Sequence, residues 1–194
     1  MPMRKDFCVF ILTHGRPDRV HTYNTLMKSG YTGKVFIVID DEDKTADEYR
    51  RRFGDKVLQF CKEEWAEKTD EGDNFHHRKA IVYARNACWD LARQVGCRYF
   101  VQFDDDYTAF FLRHDSALQY VSAPIKTTMD SVIAELLKFF SSALPLSVAI
   151  SQGGDHIGGG GEVTESGERK GGCPNPRLER KCMNSWICDA EKPI

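Results

Sequence analysis

The chain has 194 residues, of which 41% are hydrophobic and 29% are charged, and its formal net charge at pH 7 is -2. This composition is ordinary for a globular protein with a full hydrophobic core, and it excludes wholesale disorder. The small net charge argues against a protein that binds nucleic acid through an overall basic surface, although it is compatible with a local basic patch. No apolar stretch approaches the ~20 residues of a membrane span and the N-terminus lacks a signal-peptide pattern, so we expect one cytoplasmic domain over residues 1–194.

Strand and helix patterns alternate through the first part of the chain. Phe7–Leu12 is a continuous apolar run, as expected for a buried strand, and a helix pattern follows it up to Gly30. The plan repeats with a strand over Lys34–Ile39, a helix over 46–53 and a short strand over Val57–Phe60. This order predicts strand-helix units whose strands run parallel.

A charged, aperiodic stretch over 62–77 predicts a long surface loop. Apolar residues then recur at helical spacing over 81–95, and the strand pattern Tyr99–Phe103 follows. Four strands that alternate with three helices predict a parallel sheet with right-handed crossovers, and ligands of such sheets bind beyond the carboxyl ends of the strands.

The pattern changes after Tyr107. We expect a β-hairpin over 109–121, a helix capped by Thr127 or Thr128, and a further strand over 147–150. The whole sequence therefore predicts an α/β fold, with a mostly parallel sheet flanked by helices and a mixed C-terminal part.

Polar clusters follow three of the four predicted parallel strands, at 13–16, at Asp40–Asp43 and at Asp104–Asp106. Because the carboxyl ends of parallel strands share one edge of a sheet, we expect these clusters to meet. Three adjacent carboxylates repel one another unless solvent or a cation lies among them, and Mg2+ or Mn2+ takes such oxygen ligands together with phosphate and water. The alternative at this stage is an acidic turn without a ligand.

Basic residues near these clusters suit an anionic ligand. Arg78 and Arg85 are seven residues apart, so they share one face of the predicted helix, and an arginine fork can donate two hydrogen bonds to phosphate. Two solvated arginines would give the same spacing. A basic cluster over 169–181 is compatible with an anionic acceptor, while His14 and His156 are interpreted as surface or packing histidines, with His156 notable for following a strand end.

Five motifs follow one another along the chain. They are Thr-His-Gly-Arg-Pro at Thr13–Pro17, Gly-Tyr-Thr-Gly at Gly30–Gly33, an acidic strand end at Ile37–Asp43, Ala-Arg-Asn at Ala84–Asn86, and Phe-Asp-Asp-Asp-Tyr at Phe103–Tyr107. Taken in order, they resemble the nucleotide-sugar half of glycosyltransferases with the GT-A fold. The set is most similar to the TET-associated glycosyltransferases of bacteriophages, over nearly the whole chain. The resemblance implies a GT-A-like, Rossmann-like domain with a nucleotide-sugar half over 1–107 and an acceptor-side half over 108–194.

The resemblance also implies a reaction, which is transfer of a sugar from a nucleotide donor, expected to be a UDP-sugar, to hydroxymethylated pyrimidines such as hydroxymethylcytosine in phage DNA. Asp106 matches the carboxylate that holds Mn2+ or Mg2+ against the diphosphate, and Asp104 matches the one that contacts ribose or metal. The remaining residues that match the donor site are Thr13, Arg16, Asp40 and Arg85. We also expect Asp105 and Arg78 to bind the donor. The expected partners are thus a nucleotide-sugar and modified DNA in the host cytoplasm, with no membrane and no obligate protein partner.

The acceptor side departs from the family pattern, in which a carboxylate and often a histidine complete the site further along the chain. Asp155 and His156 are the nearest candidates for these catalytic roles, and without them the acceptor half would be incomplete. Two other functions stay open. One is a haloacid-dehalogenase-like phosphatase with Asp104 as nucleophile, Asp106 as acid and base, and Ser151 as phosphate ligand. The other is a module that binds a nucleotide sugar or DNA without catalysis.

Overall fold

The structure is a computed structural model that describes residues 3–69, 81–117, 120–143, 145, 147–149 and 186–191. Its strands are β1 (Phe7–Leu12), β2 (Lys34–Asp40), β3 (Val57–Phe60), β4 (Tyr99–Asp104), β5 (Phe111–His114), β6 (Tyr120–Pro124), β7 (Ser147–Ala149) and β8 (Trp186–Asp189). Its helices are α1 (His21–Lys28), α2 (Ala46–Phe53), α3 (Lys62–Lys68), α4 (Val82–Gln94) and α5 (Met129–Ala143), with a short 3-10 turn over Gly54–Lys56.

Six of the strands form one sheet in the order β3-β2-β1-β4-β8-β7, and β5 and β6 form a separate antiparallel hairpin. The strands β3, β2, β1 and β4 run parallel to their neighbours, while β8 runs antiparallel to both β4 and β7. The predicted α/β fold with a mostly parallel sheet, flanking helices and a mixed C-terminal part is confirmed. The division into halves at residue 107 stays a prediction.

The core lies on both faces of the sheet, because side chains of successive strand residues point to opposite faces. In β1 every residue is buried. Phe7, Val9 and Ile11 pack with α1, α2 and α5 on one face. Cys8, Phe10 and Leu12 pack with α4 on the other face. The partly buried Trp65 of α3 packs against the same cluster. A continuous apolar run in a central parallel strand is thus explained by burial from both sides.

The strand order reverses between β1 and β4, since the chain proceeds from β1 outward to β3 and then returns to the other side of β1. At such a point the connections leave in opposite directions, which opens a crevice beyond the carboxyl ends of the two strands. The Thr13 turn follows β1, and the acidic triplet begins with the last residue of β4, so the topology brings these two motifs together.

Two features differ from the sequence prediction. The stretch predicted as a loop over 62–77 contains helix α3, so the prediction was wrong over 62–68. The helix begins where the Asp41 carboxylate accepts the Lys62 N–H at 2.8 Å, and acids in its first turn and Lys68 in its last turn suit the helix dipole. Strand β8 was not predicted, and it inserts between β4 and β7. None of the helices within the described ranges has the length and apolar character that crossing a membrane requires.

Candidate functional site

A pocket of about 450 Å³ lies beyond the carboxyl ends of the four parallel strands. It is lined by Leu12, Thr13, His14, Arg16, Asp40, Phe60, Lys62, Ile81, Ala84, Arg85, Asp104, Asp105 and Asp106. All three polar clusters predicted from the sequence contribute to it. The expectation that they meet at one edge of the sheet is therefore confirmed by the geometry.

The three consecutive carboxylates of the acidic turn have different surroundings. Asp105 is buried, and its two oxygens accept hydrogen bonds from the Thr13 hydroxyl at 2.6 Å and from Arg16 Nη2 at 2.9 Å. Asp106 is exposed, and Asp104 is partly exposed. Because Asp105 is already bound by protein, Asp104 and Asp106 are the carboxylates of this turn that are best placed to meet a ligand.

Asp104 is paired with Arg85, whose Nη2 donates to the Asp104 Oδ1 at 3.0 Å. Gln102 contacts the same arginine twice, because its Oε1 accepts from Arg85 Nη1 at 3.4 Å and its Nε2 donates to the Arg85 backbone carbonyl at 2.9 Å. Burial raises the pKa of Asp104, and the charges of Asp106 and Asp105 add to the rise while Arg85 opposes it. The turn holds three carboxylates, and two arginines pair with it, Arg16 with Asp105 and Arg85 with Asp104. A bound cation would offset the negative charge that these pairs leave.

The turn after β1 is held by the segment after β2. Gly15, with a φ of 66°, donates its N–H to Asp43 Oδ2 at 2.8 Å, and Thr45 donates both its N–H and its hydroxyl to Asp43 Oδ1. Burial of Asp43 would raise its pKa, but the hydrogen bonds from Thr45 and Gly15 outweigh burial, so the pKa lies below its usual range. The turn is thus fixed by an ionised carboxylate that points away from solvent.

A third group of polar side chains lies at the β2 side of the pocket. Asp40 Oδ2 accepts a hydrogen bond from His14 Nδ1 at 2.7 Å and lies 3.5 Å from Lys62 Nζ. Lys62 is buried, with its ammonium group also 3.8 Å from Glu42. Asp40 is buried and its Oδ1 accepts the Glu42 N–H at 3.1 Å, but a carboxylate has about four lone-pair sites and can accept further hydrogen bonds. Asp40 beside the ammonium group therefore offers an acceptor next to a donor, and the apolar side chains of Phe60 and Ile81 line the same pocket.

Sequence reasoning missed Lys62 and gave His14 no place in the site. Lys62 was assigned to a featureless charged loop, and nothing in its neighbours shows that it folds back onto Asp40. His14 lies half exposed in the pocket. The sequence did contain a signal for His14, because this residue lies between Thr13 and Arg16, both of which the sequence predicts to belong to the site.

Three predicted site residues, Arg78, Asp155 and His156, lie outside the residues that the structure describes. Their assigned roles, like those of Thr13, Arg16, Asp40, Arg85 and the acidic triplet, stay predictions. The structure brings these other seven residues to one pocket.

The donor set at the acidic turn fits a hard divalent cation. Within the ranges described, no three histidine, cysteine or acidic side chains are grouped so that they could hold a metal ion by themselves. Mg2+-type sites need only one or two protein carboxylates, because water and substrate phosphates complete the shell. Asp104 and Asp106 supply that number.

The chain matches the model of a known protein family. The model of the TET-associated glycosyltransferases matches residues 7–184. No curated protein shows significant similarity to the chain. The matched range contains every residue that lines the pocket.

Proposed function

We propose a donor, a metal and an acceptor for this chain on the premise that it belongs to the TET-associated glycosyltransferase family and is therefore a glycosyltransferase. The donor is a UDP-sugar held with Mn2+ or Mg2+, and the acceptor is a hydroxymethylated pyrimidine, such as hydroxymethylcytosine, in phage DNA. The observation that carries the proposal is the acidic turn, in which Asp105 is bound by Thr13 and Arg16 while Asp104 and Asp106 line the pocket. The identities of nucleotide and acceptor follow the family resemblance.

In this proposal Asp104 and Asp106 hold the cation, which when bound would neutralise the negative charge that develops on the leaving diphosphate. Arg85 and Arg16 line the same pocket, each bonded to a carboxylate of the turn. Both can donate further hydrogen bonds to phosphate oxygens, because a guanidinium group carries five N–H donors. The carboxylates and arginines together thus suit a diphosphate with its cation.

The nucleoside is expected at the β2 side of the pocket. Asp40 and the neighbouring ammonium group of Lys62 present an acceptor beside a donor. The imide edge of uracil presents an N–H beside a carbonyl and complements that pair, and Phe60 and Ile81 offer apolar surface to the base. Cytosine and guanine also present a donor beside an acceptor, so the choice among bases is a question for measurement.

The chemical step we propose is a displacement at the anomeric carbon of the donor sugar. The acceptor hydroxyl oxygen forms a bond to that carbon, the bond from the carbon to the diphosphate oxygen breaks, and the hydroxyl proton passes to a base. Asp155 and His156 remain the candidates for the acceptor side, on the sequence resemblance alone. The electron pair of the broken bond leaves with UDP.

The donor site is tested by thermal unfolding with UDP, with Mn2+, and with both. A ligand at about one hundred times its Kd stabilises the native state by about 2.7 kcal/mol, enough to raise the midpoint by several degrees in a domain of this size. We expect the shift with UDP and Mn2+ together and not with either alone. CDP and GDP in parallel identify the base that is preferred.

Asp106→Asn is the variant that tests the metal role. It should abolish the joint shift because the amide oxygen is a weaker ligand than the carboxylate. The matched control is Asp55→Asn, which removes an exposed carboxylate in the turn before β3 and should leave the shift unchanged. An Asp106→Asn protein that still binds UDP with Mn2+ as tightly as the wild type would contradict the metal assignment.

Catalysis is tested with DNA that contains 5-hydroxymethylcytosine and with UDP-sugars, by mass spectrometry of the nucleosides. A product heavier by one sugar residue supports transfer. Binding of UDP and Mn2+ with no transfer to any acceptor would instead support the non-catalytic binding module. Release of phosphate from simple phosphoesters would support the phosphatase alternative.

A further inference from the structure

Four residues beneath the acidic turn form a closed ring of hydrogen bonds. The Arg16 backbone N–H donates to the Tyr49 hydroxyl at 2.9 Å, and this hydroxyl lies 2.8 Å from the Thr13 Oγ1. Thr13 Oγ1 lies 2.6 Å from Asp105 Oδ2, and Asp105 Oδ1 accepts from the Arg16 guanidinium at 2.9 Å. The ring thus begins and ends on the same residue, Arg16.

The direction of each hydrogen bond in the ring follows from the chemistry of its members. An ionised carboxylate only accepts, so the Thr13 hydroxyl must give its single proton to Asp105. Thr13 can then bond to Tyr49 only as an acceptor, which makes the Tyr49 hydroxyl the donor. Burial raises the pKa of Tyr49, so its hydroxyl keeps the proton that this bond needs. The Tyr49 oxygen in turn accepts from Arg16.

The ring joins three separate parts of the chain. Thr13 and Arg16 belong to the turn after β1, Tyr49 is fully buried in α2, and Asp105 is the middle carboxylate after β4. The backbone of the acidic turn is held as well, because the Asp105 carbonyl accepts the Thr22 N–H at 3.1 Å. Tyr49 is the member of the ring that does not line the pocket, so it can act on a ligand only through the others.

We propose that Tyr49 is a positioning residue for donor binding, because it directs the Thr13 proton to Asp105, holds that carboxylate inward and so keeps Asp104 and Asp106 in the pocket. This inference rests on the proposed function, since the ligand it serves is the donor with its cation. Neither the family match nor the sequence patterns assign a role to Tyr49.

The variant that tests the inference is Tyr49→Phe, which removes the hydroxyl group and keeps the aromatic side chain that packs in the core. We expect the affinity for UDP with Mn2+ to fall by about tenfold, the change that loss of one buried hydrogen bond can produce. The matched control is Tyr31→Phe. Tyr31 is also buried in the same core cluster, and its hydroxyl bonds to the Lys34 carbonyl instead, so its removal should leave the affinity unchanged.

A double variant separates positioning from general loosening. Thr13→Val removes the next hydroxyl in the ring, so Tyr49→Phe combined with Thr13→Val should weaken UDP binding little more than Thr13→Val alone, because residues of one network are not additive. If the loss of UDP affinity in the double variant equals the product of the fold-losses in the two single variants, the proposal is overturned.

Hydrogen exchange of the Thr22 amide gives a readout that needs no nucleotide. This amide bonds to the acidic turn and does not bond to Tyr49, so Tyr49→Phe should speed its exchange about tenfold if the turn is released, whereas Tyr31→Phe should not. If the Thr22 amide exchanges at the wild-type rate in Tyr49→Phe, the proposal is overturned, whether or not the wild type binds UDP. Faster exchange together with an unchanged affinity for UDP and Mn2+ also overturns it. Faster exchange in a protein whose wild type binds no UDP supports the positioning role and instead contradicts the proposed donor.

Discussion

At the scale of single residues, the carboxylates around the pocket differ by what they already bind. Asp43 and Asp105 are buried and accept hydrogen bonds from protein groups on both oxygens. Asp104 and Asp106 belong to the same acidic turn as Asp105 but are more exposed. The first two carboxylates stabilise the turns, and the other two are proposed to meet the ligand.

Asp43→Asn tests the first of these roles. At pH 7 it should lower the free energy of unfolding by about 1–3 kcal/mol, because the N–H groups of Gly15 and Thr45 lose a charged acceptor. The pKa of Asp43 is lowered in the folded protein, so its contribution is present above the unfolded pKa of about 3.9 and is lost as pH falls through the folded pKa. Urea unfolding at pH 7 and pH 3 should therefore show a smaller difference from the wild type at pH 3.

The control for this prediction is Asp47→Asn. The Asp47 side chain is 95% exposed and forms a surface pair with Arg50, so its loss should change stability by no more than about 0.5 kcal/mol. An Asp43→Asn effect that is equally large at both pH values would show that the carboxylate charge does not contribute.

At the scale of elements, helix α5 is attached to the turn between α1 and β2 by its first residues. Asp130 accepts the Thr32 N–H at 2.9 Å and the Thr32 hydroxyl at 2.6 Å. The Met129 N–H donates to the Ser29 carbonyl at 2.7 Å. These bonds fix the start of a helix whose Ile133, with other apolar residues, covers one face of the sheet.

Asp130→Ala should lower the free energy of unfolding by about 1–3 kcal/mol, because it leaves the Thr32 donors without their charged acceptor. Chemical unfolding followed by circular dichroism measures the change. Glu135→Ala removes an exposed carboxylate of the same helix, paired with Lys138 at the surface, and should cost less than about 1 kcal/mol. Equal losses in the two variants would contradict the attachment.

Elements with strong local patterns could be predicted from the sequence, and elements that depend on distant contacts could not. The bounds of β1, α2 and β3 agree with the sequence prediction, because apolar runs and turn residues define them locally. Helix α3 has the sequence Lys-Glu-Glu-Trp-Ala-Glu-Lys, which lacks apolar periodicity. It is stabilised by Trp65 packing near α4 and by the Asp41 carboxylate at its start, and both are tertiary contacts.

The same distinction applies to the candidate site. The residues found from the sequence, such as Asp106 and Arg85, lie directly after strands or within family motifs. Lys62 lies in neither, and its place beside Asp40 depends on how α3 packs. The ring that contains Tyr49 could not be predicted either, because its members are separated by up to 92 positions.

At the scale of the whole molecule, β8 completes the sheet from a part of the chain beyond the family match, which ends at residue 184. Ile187 of this strand is fully buried and is paired with Val101 of β4 and Val148 of β7. It therefore links the parallel half of the sheet to β7.

Ile187→Ala should lower the free energy of unfolding by about 2–5 kcal/mol through lost burial and a cavity. In a domain of this size each kcal/mol lowers Tm by about 2–4 °C, which calorimetry resolves. The control Ile81→Ala makes the same change at a side chain that is 48% exposed and should alter Tm far less. A small effect of Ile187→Ala would show that β8 is not needed for the stability of the core.

The interior position of β8 also has a consequence for synthesis of the protein. Tyr99 of β4 pairs with Asp189, so β4 leaves the ribosome well before its partner strand exists. Until residues 186–189 emerge, the N–H and C=O groups on that side of β4 lack the strand that pairs with them in the native sheet, and an open strand edge is prone to pair with other chains. The nascent chain thus passes through a stage that is vulnerable to aggregation, and a lower temperature during expression, which weakens hydrophobic association between chains, should increase the yield of folded protein.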